Sequence, residues 1–396
     1  MQVGLVGAPN SGKSTFLKAA SLADVEIGNY PFTTIDANRG IGYVTVPCPC
    51  RKRNISCDPQ NSECKDGTRL VPVKLLDVAG LVPDAHKGKG LGNQFLDDLR
   101  EADALIHVLD VSGRTNAKGE KTEDYDPKGN IEFLEEELDK WFIDIFEREW
   151  QKFASEIEME HRDFEDQLLS RFSGLKIDKN DIRTVLMDLD LNPEKPSTWN
   201  EENREEFCRG LRKRTKPILI AANKIDLPGS EENYERIKEE SNSETVACCA
   251  EAELALREAA QHGLIDYTPG EKEFEITDEG GLSKKQSKAL EFVEKILENY
   301  GSTGVQRCLN SAVFDLLDMI VVYPVENEHK LTDKKGNVLP DAILIEKGST
   351  TEDLAYKIHS DIGDKFIGAI DCKTERKIGA DHELENGDIV KILTSS

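Results

Sequence analysis

The stretch "GAPNSGKST", Gly7 to Thr15, restricts what this chain can fold into more than any other. An apolar run, Val3 to Val6, precedes it and a helical pattern opens at Lys13, so glycines turn a strand directly into a helix. In that setting Gly7 and Gly12 let successive backbone amides face phosphate oxygens, and Lys13 adds a point charge for the terminal phosphates. The Ser14 hydroxyl is a hard oxygen ligand of the kind Mg2+ takes. The spacing predicts an α/β P-loop NTPase of the Ras-like G-domain type, with Asn10, Ser11, Gly12, Lys13, Ser14 and Thr15 around the phosphates.

The rest of the chain is patterned accordingly. Short apolar strands (Ile41 to Val46, Val73 to Leu76, Ala104 to Val111) alternate with helical stretches, as in a mostly parallel sheet. Residues 113–215 are rich in Glu, Lys and Asp, with Phe133, Leu134, Leu138, Trp141, Phe142, Ile145 and Phe146 at helical spacing, and read as a helical insertion. The sheet resumes at Ile218 to Ala222 and Thr245 to Cys248, followed by helices over Ser283 to Asn299 and Gly304 to Leu317. From Met319 the strands are short ("MIVVYPV", "AILIEKG", "FIGAIDC", "DIVKILT") and one helix, "TTEDLAYKIHSDIG", lies among them, which predicts a small mixed sheet. The expected division is 1–112 with 216–268 as the nucleotide domain, 113–215 as the insertion, 269–318 as a helical segment completing that region, and 319–396 as a C-terminal domain.

Three further stretches complete a nucleotide site. In "YPFTT", Thr33 and Thr34 offer hydroxyls to the metal shell, Thr34 being favoured. In "DVAG", Asp77 is expected to hold a metal-bound water and Gly80 to give its amide to the terminal phosphate. Leu81 stands where many GTPases carry a glutamine that orients water, so intrinsic hydrolysis is expected to be slow. Gly88, Gly90 and Gly92 would let this segment rearrange.

"ANKID" selects the base. The Asp226 carboxylate accepts N–H bonds from N1 and the 2-amino group of guanine, while Asn223 and Lys224 brace the loop. Adenine lacks the 2-amino group and would leave the carboxylate unpaired, at a cost of about 1.5–3 kcal/mol, on the order of tenfold to hundredfold in affinity. GTP is therefore expected over ATP. "CCAEAE" supplies Cys249, Ala250 and Glu251, with the Ala250 amide directed at the guanine O6 and Cys249 in place of the usual serine.

Charge and cysteines set limits. A net charge of −25 over 396 residues argues against wrapping nucleic acid, so any RNA contact is local, the best basic run being "RGLRKRTK", Arg209 to Lys216. No apolar run long enough to span a membrane occurs, and the N-terminus goes straight into a strand, which points to a cytoplasmic protein without membrane contact. Nine cysteines do not make a disulfide framework in such a chain. Cys48, Cys50, Cys57 and Cys64 are spaced C-x-C-x6-C-x6-C, and read either as a Zn2+ site or as reduced, redox-sensitive thiols.

With these residues in hand the chain resembles the Obg/YchF group of translation-associated GTPases, in its archaeal and eukaryotic branch. The matching strings are "GAPNSGKST", "YPFTT", "DVAGLVPDAHKGKGLGNQFLDDLR", "ANKID", "GSTGVQ" and "EHKLTDKKGNVLP". The resemblance implies a β-grasp TGS domain at the C-terminal end, Mg2+ as cofactor, and the ribosome or ribosomal RNA as partner. Better-known YchF proteins carry glutamate in place of the base-reading aspartate and prefer ATP, so Asp226 is a departure that favours GTP, with a YchF-like ATPase as the alternative. Leu81 matches the apolar residue of hydrolases that lack the glutamine, and Asn10 matches an asparagine that holds K+ against the phosphates in related GTPases. His86 and His107, the latter matching a family histidine, are the catalytic candidates, although a histidine in an apolar strand is more often a core residue. A metal- or redox-sensing nucleotide-binding protein built on the cysteine loop is a further alternative.

Overall fold

Strand β1 (Gln2–Val6) is buried along nearly its whole length because it runs between two parallel neighbours. The computed structural model describes residues 1–21, 39–78, 92–278 and 280–395. After α1 (Lys13–Ser21), β2 (Arg39–Pro47) pairs antiparallel with β4 (Thr68–Asp77), and the short α2 (Pro49–Arg53) and β3 (Glu63–Lys65) fill the connection between them. Next come α3 (Gly92–Glu101) and β5 (Ala104–Asp110), then, after the insertion, β6 (Ile218–Asn223), α9 (Ser230–Glu240), β7 (Thr245–Ala247) and α10 (Ala250–Gln261). The strands form a seven-stranded sheet ordered β2-β4-β1-β5-β6-β7, with β3 on β4. Strand order reverses at β1, and in open α/β sheets ligands bind outside the carboxyl ends of the strands at such a reversal.

The insertion consists of α4 (Lys128–Glu147), α5 (Trp150–Glu160), α6 (Phe164–Arg171), α7 (Lys179–Asp188) and α8 (Glu201–Thr215). Leu134, Leu138, Trp141, Phe142 and Phe146 share one buried face of α4. Phe146 also meets Trp150, Phe153, Trp199 and Phe207 at ring-centroid distances of 4.8–6.4 Å, so an aromatic cluster closes this layer. Capping boxes at Asp178 and Asn200 start α7 and α8.

The basic run "RGLRKRTK" is not a free cationic patch. Arg212, 3% exposed, pairs with Asp139 at 2.8 Å, and Lys216, 0% exposed, donates to the carbonyl of Ala102 at 2.5 Å. Arg209 pairs with Glu205 at 2.7 Å and Arg214 lies 3.4 Å from Asp181. The run is the end of α8 docking onto the sheet, with Arg212 and Lys216 turned inward and Arg209, Lys213 and Arg214 on the surface.

Beyond the small hairpin of β8 (Ile265–Asp266) and β9 (Glu275–Ile276) lie α11 (Lys284–Tyr300), α12 (Val305–Asn310) and a π turn over Ser311–Leu316. The C-terminal sheet is five-stranded, ordered β11-β10-β14-β12-β13, from β10 (Met319–Val325), β11 (Ile343–Glu346), β12 (Phe366–Asp371), β13 (Arg376–Ile378) and β14 (Ile389–Thr394). It is mixed, as expected, with β10 and β14 parallel. The single helix expected here is two: His359 adopts extended backbone after α13 (Thr351–Ile358), and its Nδ1 accepts from the Asp361 amide at 3.1 Å to start α14 (Ser360–Asp364). Among the described residues no helix is long and apolar enough to cross a membrane.

Candidate nucleotide-binding site

The carboxyl ends of β1, β4, β5 and β6 bring the motif residues together. Register places Leu5 beside Asp77 and Ile106, and Asp110 beside Asn223, so β5 and β6 run four residues beyond the level of Asp77 at the same end of the sheet. Gly12 has φ +100°, and a Cβ there would overlap Asn223 Nδ2, so the phosphate loop and the base loop touch through a glycine. The contact is a bond: Asn223 Nδ2 donates to Ser11 O at 2.9 Å, and its Oδ1 accepts from the Ala250 amide at 3.0 Å. One buried side chain thus joins three of the expected loops.

Lys13 lies with its ammonium on Asp77, 2.8 Å from Oδ1, and donates to Val78 O. That Oδ1 has no aligned hydrogen bond, so the pair is held by charge. Lys224 spans the site with a left-handed backbone (φ 65°), its Nζ donating to Asn10 O and Asp110 Oδ2, both at 2.7 Å. Asp110 also accepts from the Ser112 and Thr115 hydroxyls, at 2.5 and 2.6 Å. Burial alone would raise the Asp110 pKa, but these donors outweigh it and hold the carboxyl below its ordinary value. Asn10 also has φ 65° and donates to Gly119 O at 3.0 Å, which pins the phosphate loop to the segment after β5.

Asp226 accepts from the Cys249 thiol at 3.2 Å. The Cys249 amide donates to Thr303 O at 2.8 Å, and the Thr303 hydroxyl donates to Glu253, which also accepts from Tyr267 at 2.8 Å. Glu253 is 1% exposed, and burial pushes its carboxyl up. "GSTGVQ" therefore buttresses the base loop, and a side chain at Gly304 would overlap Ala247 O. Glu251 lies in the exposed first turn of α10.

His107 is 3% exposed inside β5 with Nδ1 unpartnered, beside a small void lined by Gly7, Ala8 and Asn130. Burial lowers its pKa to about 4, so the ring is neutral at ordinary pH and faces packed protein. Thr33, Thr34, Gly80, Leu81, His86, Gly88 and Gly90 lie outside the described residues.

Residue-by-residue reading missed Asp110, Ser112, Thr115, Glu253 and Tyr267. "LDVSGRT" directly after an apolar strand, with a carboxylate two and five residues ahead of hydroxyls, was the available signal for the first three.

A phosphate loop at a reversed strand order, an N-K-x-D loop tied to it, and a separate five-stranded domain define a P-loop protein of the G-domain class. Family models describe residues 2–143 as a 50S ribosome-binding GTPase, 221–327 as the G4 motif-containing domain of an Obg-like, YGR210-like GTPase, and 332–394 as a TGS domain. A GTP-binding protein of Methanocaldococcus jannaschii is 50% identical over 395 residues, 100% of this chain and 99% of its own. The crystal structure of a GTP-binding protein from Pyrococcus horikoshii matches with a TM-score of 0.80 at 39% identity over 100% of both chains. The ribosome-binding ATPase YchF of Bacillus subtilis is 30% identical over 272 residues, 65% of this chain and 68% of its own. The chain belongs to the Obg/YchF-like GTPase family, with a C-terminal TGS domain.

Proposed function

We propose that the protein is a Mg2+-dependent switch that binds GTP, hydrolyses it slowly to GDP and phosphate, and acts in the cytoplasm on the ribosome or ribosomal RNA. The observation that carries this reading is Asn223, which bonds the phosphate loop at Ser11 and the base loop at Ala250 while Asp226 stands three residues on. That arrangement supports one purine triphosphate lying across both loops. Its phosphates would meet Asn10, Ser11, Gly12, Lys13, Ser14, Thr15 and Gly80, and its base would meet Asn223, Lys224, Asp226, Cys249, Ala250 and Glu251.

Ser14, Thr34 and Asp77 would hold Mg2+; the hydroxyl of Ser14 and the carboxylate of Asp77 are the hard oxygen donors this ion takes. Bound there, the ion offsets charge on the β and γ phosphates. Lys13 leaves Asp77 for the phosphates on binding, which frees that carboxylate. Asn10 Oδ1 is the oxygen available to a K+ ion, and turnover that is equal in sodium and potassium buffers would remove this part. With Leu81 in place of glutamine no side chain there orients water, which supports slow hydrolysis.

Residues 1–112 and 216–268 form the G domain in this reading, 113–215 the helical insertion, 269–318 its completing segment and 319–396 the TGS domain. The family descriptions support a ribosomal partner. Calorimetry with GTP and ATP in Mg2+ tests the nucleotide: GTP should bind on the order of tenfold to hundredfold more tightly, from the unpaired Asp226 that adenine would leave. Equal or tighter ATP binding would favour the YchF-like ATPase instead. Sedimentation with ribosomal subunits in GTP analogue, GDP and no nucleotide, at two salt concentrations, tests the partner.

A further inference from the structure

The four clustered cysteines lie at the end of the β2–β4 hairpin opposite the nucleotide loops, about 30 Å along β4 from Asp77 at ~3.3 Å per residue. Cys48 follows β2, Cys50 lies in α2, Cys57 is in the loop after it and Cys64 is in β3. The turn is built by the backbone: the Cys48 amide donates to Gly67 O at 2.8 Å, Arg51 to Cys48 O at 3.2 Å and Ile55 to Cys50 O at 3.1 Å. Asn54 caps α2 in the left-handed conformation (φ 52°). All four Sγ atoms lie within 4.8 Å of one another, and Cys50 and Cys64 are 3.8 Å apart. A zinc tetrahedron with Zn–S bonds of ~2.3 Å has edges of ~3.8 Å.

A second observation concerns charge. Arg69, opposite Cys64 in the β3–β4 register, is 0% exposed. It donates to Ser62 Oγ at 3.0 Å and Leu339 O at 2.9 Å and lies over the Tyr323 ring at 5.4 Å, with Nε unpartnered. Among the described residues no carboxylate forms a close ion pair with it, and the carboxylate that feels its charge is the partly buried Asp341. A buried guanidinium without an anion is strongly disfavoured, whereas four thiolates around one Zn2+ carry a net double negative charge.

The same segment meets the connection from β10 to β11. The Asp58 and Gln60 amides donate to Val338 O and Pro340 O at 2.8 and 2.7 Å. Asn61 and Ala342 exchange two bonds, at 3.1 and 2.9 Å. Arg53 reaches Cys372 O at 3.3 Å. Cys48 and Cys50 share one core with Tyr323, Leu339 and Cys372.

We propose that Cys48, Cys50, Cys57 and Cys64 bind one structural Zn2+ as a thiolate tetrahedron whose negative charge Arg69 partly offsets, and that this knuckle locks the TGS domain onto the hairpin leading to the nucleotide site. Zn2+ binding displaces the thiol protons to solvent and involves no redox step. The site is independent of which nucleotide is bound, so its test stands apart from that of the proposed GTPase.

The test is metal analysis of the full chain purified under reducing conditions, with hydrogen exchange before and after chelation. One zinc per chain is expected, released as a mercurial titrates four thiols together. Chelation should accelerate exchange of the Asp58, Gln60 and Ala342 amides while those of the α4–α8 insertion keep their rates. Cys50→Ser and Cys64→Ser should lose the metal, and Arg69→Met should lower zinc affinity in competition with a chelator; the mercurial release on the unsubstituted chain decides should these variants not fold. Substoichiometric zinc with four freely reactive thiols, iron in place of zinc, or a Cys48–Cys64 pair isolated as a disulfide overturns the site. Unchanged exchange at the three amides overturns the lock.

Discussion

The Cys249 thiol donates to Asp226 Oδ1 across 3.2 Å, joining the base loop after β7 to the carboxylate after β6. Burial, followed by the Asp226 charge, pushes the thiol up, so it remains a protonated donor at ordinary pH. Asp226 Oδ2 has no protein partner among the described residues. A carboxylate accepts through both oxygens, and the cysteine fixes its plane while leaving acceptor capacity for the edge of the base.

Replacing that carboxylate changes the base rather than the phosphates. Asp226→Asn turns one acceptor into a donor, so GTP affinity should fall on the order of tenfold to hundredfold. Xanthosine triphosphate, which carries a carbonyl where guanine has its 2-amino group, should gain. Cys249→Ala removes only the orienting bond, and a loss of about threefold to tenfold is expected. Calorimetric titration with both nucleotides reads all of these, and an unchanged GTP/xanthosine triphosphate ratio in Asp226→Asn would refute the base contact.

Asn223→Ala should behave differently. It deletes the bonds to Ser11 O and from the Ala250 amide, so the phosphate and base loops lose their common brace. Two buried backbone groups are left unpaired, at about 1–3 kcal/mol each. The unfolding temperature should drop, and GTP and ATP should weaken by similar factors. A selective loss of GTP alone would show that Asn223 distinguishes guanine from adenine and is more than a brace.

His107 gives the protein an acid sensitivity with a defined window. Its pKa is lowered from 6.5 to about 4 by burial, so the unfolded chain takes up a proton that the folded chain refuses between those values. Stability is full above 6.5 and falls as pH drops toward 4, by up to about 3 kcal/mol at 1.36 kcal/mol per pKa unit. His107→Gln should flatten this slope in denaturant titrations at a series of pH values. Single-turnover hydrolysis should stay within about threefold of the parent, since a neutral ring in the sheet interior moves no proton. A hundredfold loss would restore His107 as a catalytic candidate.

How much was legible follows from how local each feature is. The phosphate loop was readable because strand, turn and helix adjoin within Gln2 to Ser21. The bond from Asn223 to Ser11 spans 212 positions, and only the side-by-side placement of β1, β5 and β6 creates it. The inward turn of Arg212 and Lys216 in "RGLRKRTK" was not legible, because a run of cations reads the same whether a helix end faces solvent or docks on a sheet. The cysteine spacing was visible, whereas the closeness of Cys48 and Cys64 needed the pairing of β4 with both β2 and β3. Nothing in the sequence marks Arg69; its burial arises because Tyr323 and Leu339 cover it.

The Lys13–Asp77 ion pair makes the last prediction. The two charges are 2.8 Å apart and largely shielded, with side-chain exposures of 14% and 20%. A partly buried charge pair of this kind contributes about 1–3 kcal/mol. A double-mutant cycle of Lys13→Met and Asp77→Asn, read by urea unfolding of the nucleotide-free protein, should return a coupling energy in that range. If Lys13 transfers to the terminal phosphates on binding, GDP, which lacks the γ group, should preserve more of the coupling than a GTP analogue does, provided both ligands remain saturating for every variant. Equal coupling in the three states would mean that Lys13 stays on Asp77 throughout, and the proposed exchange of partners would have to be abandoned.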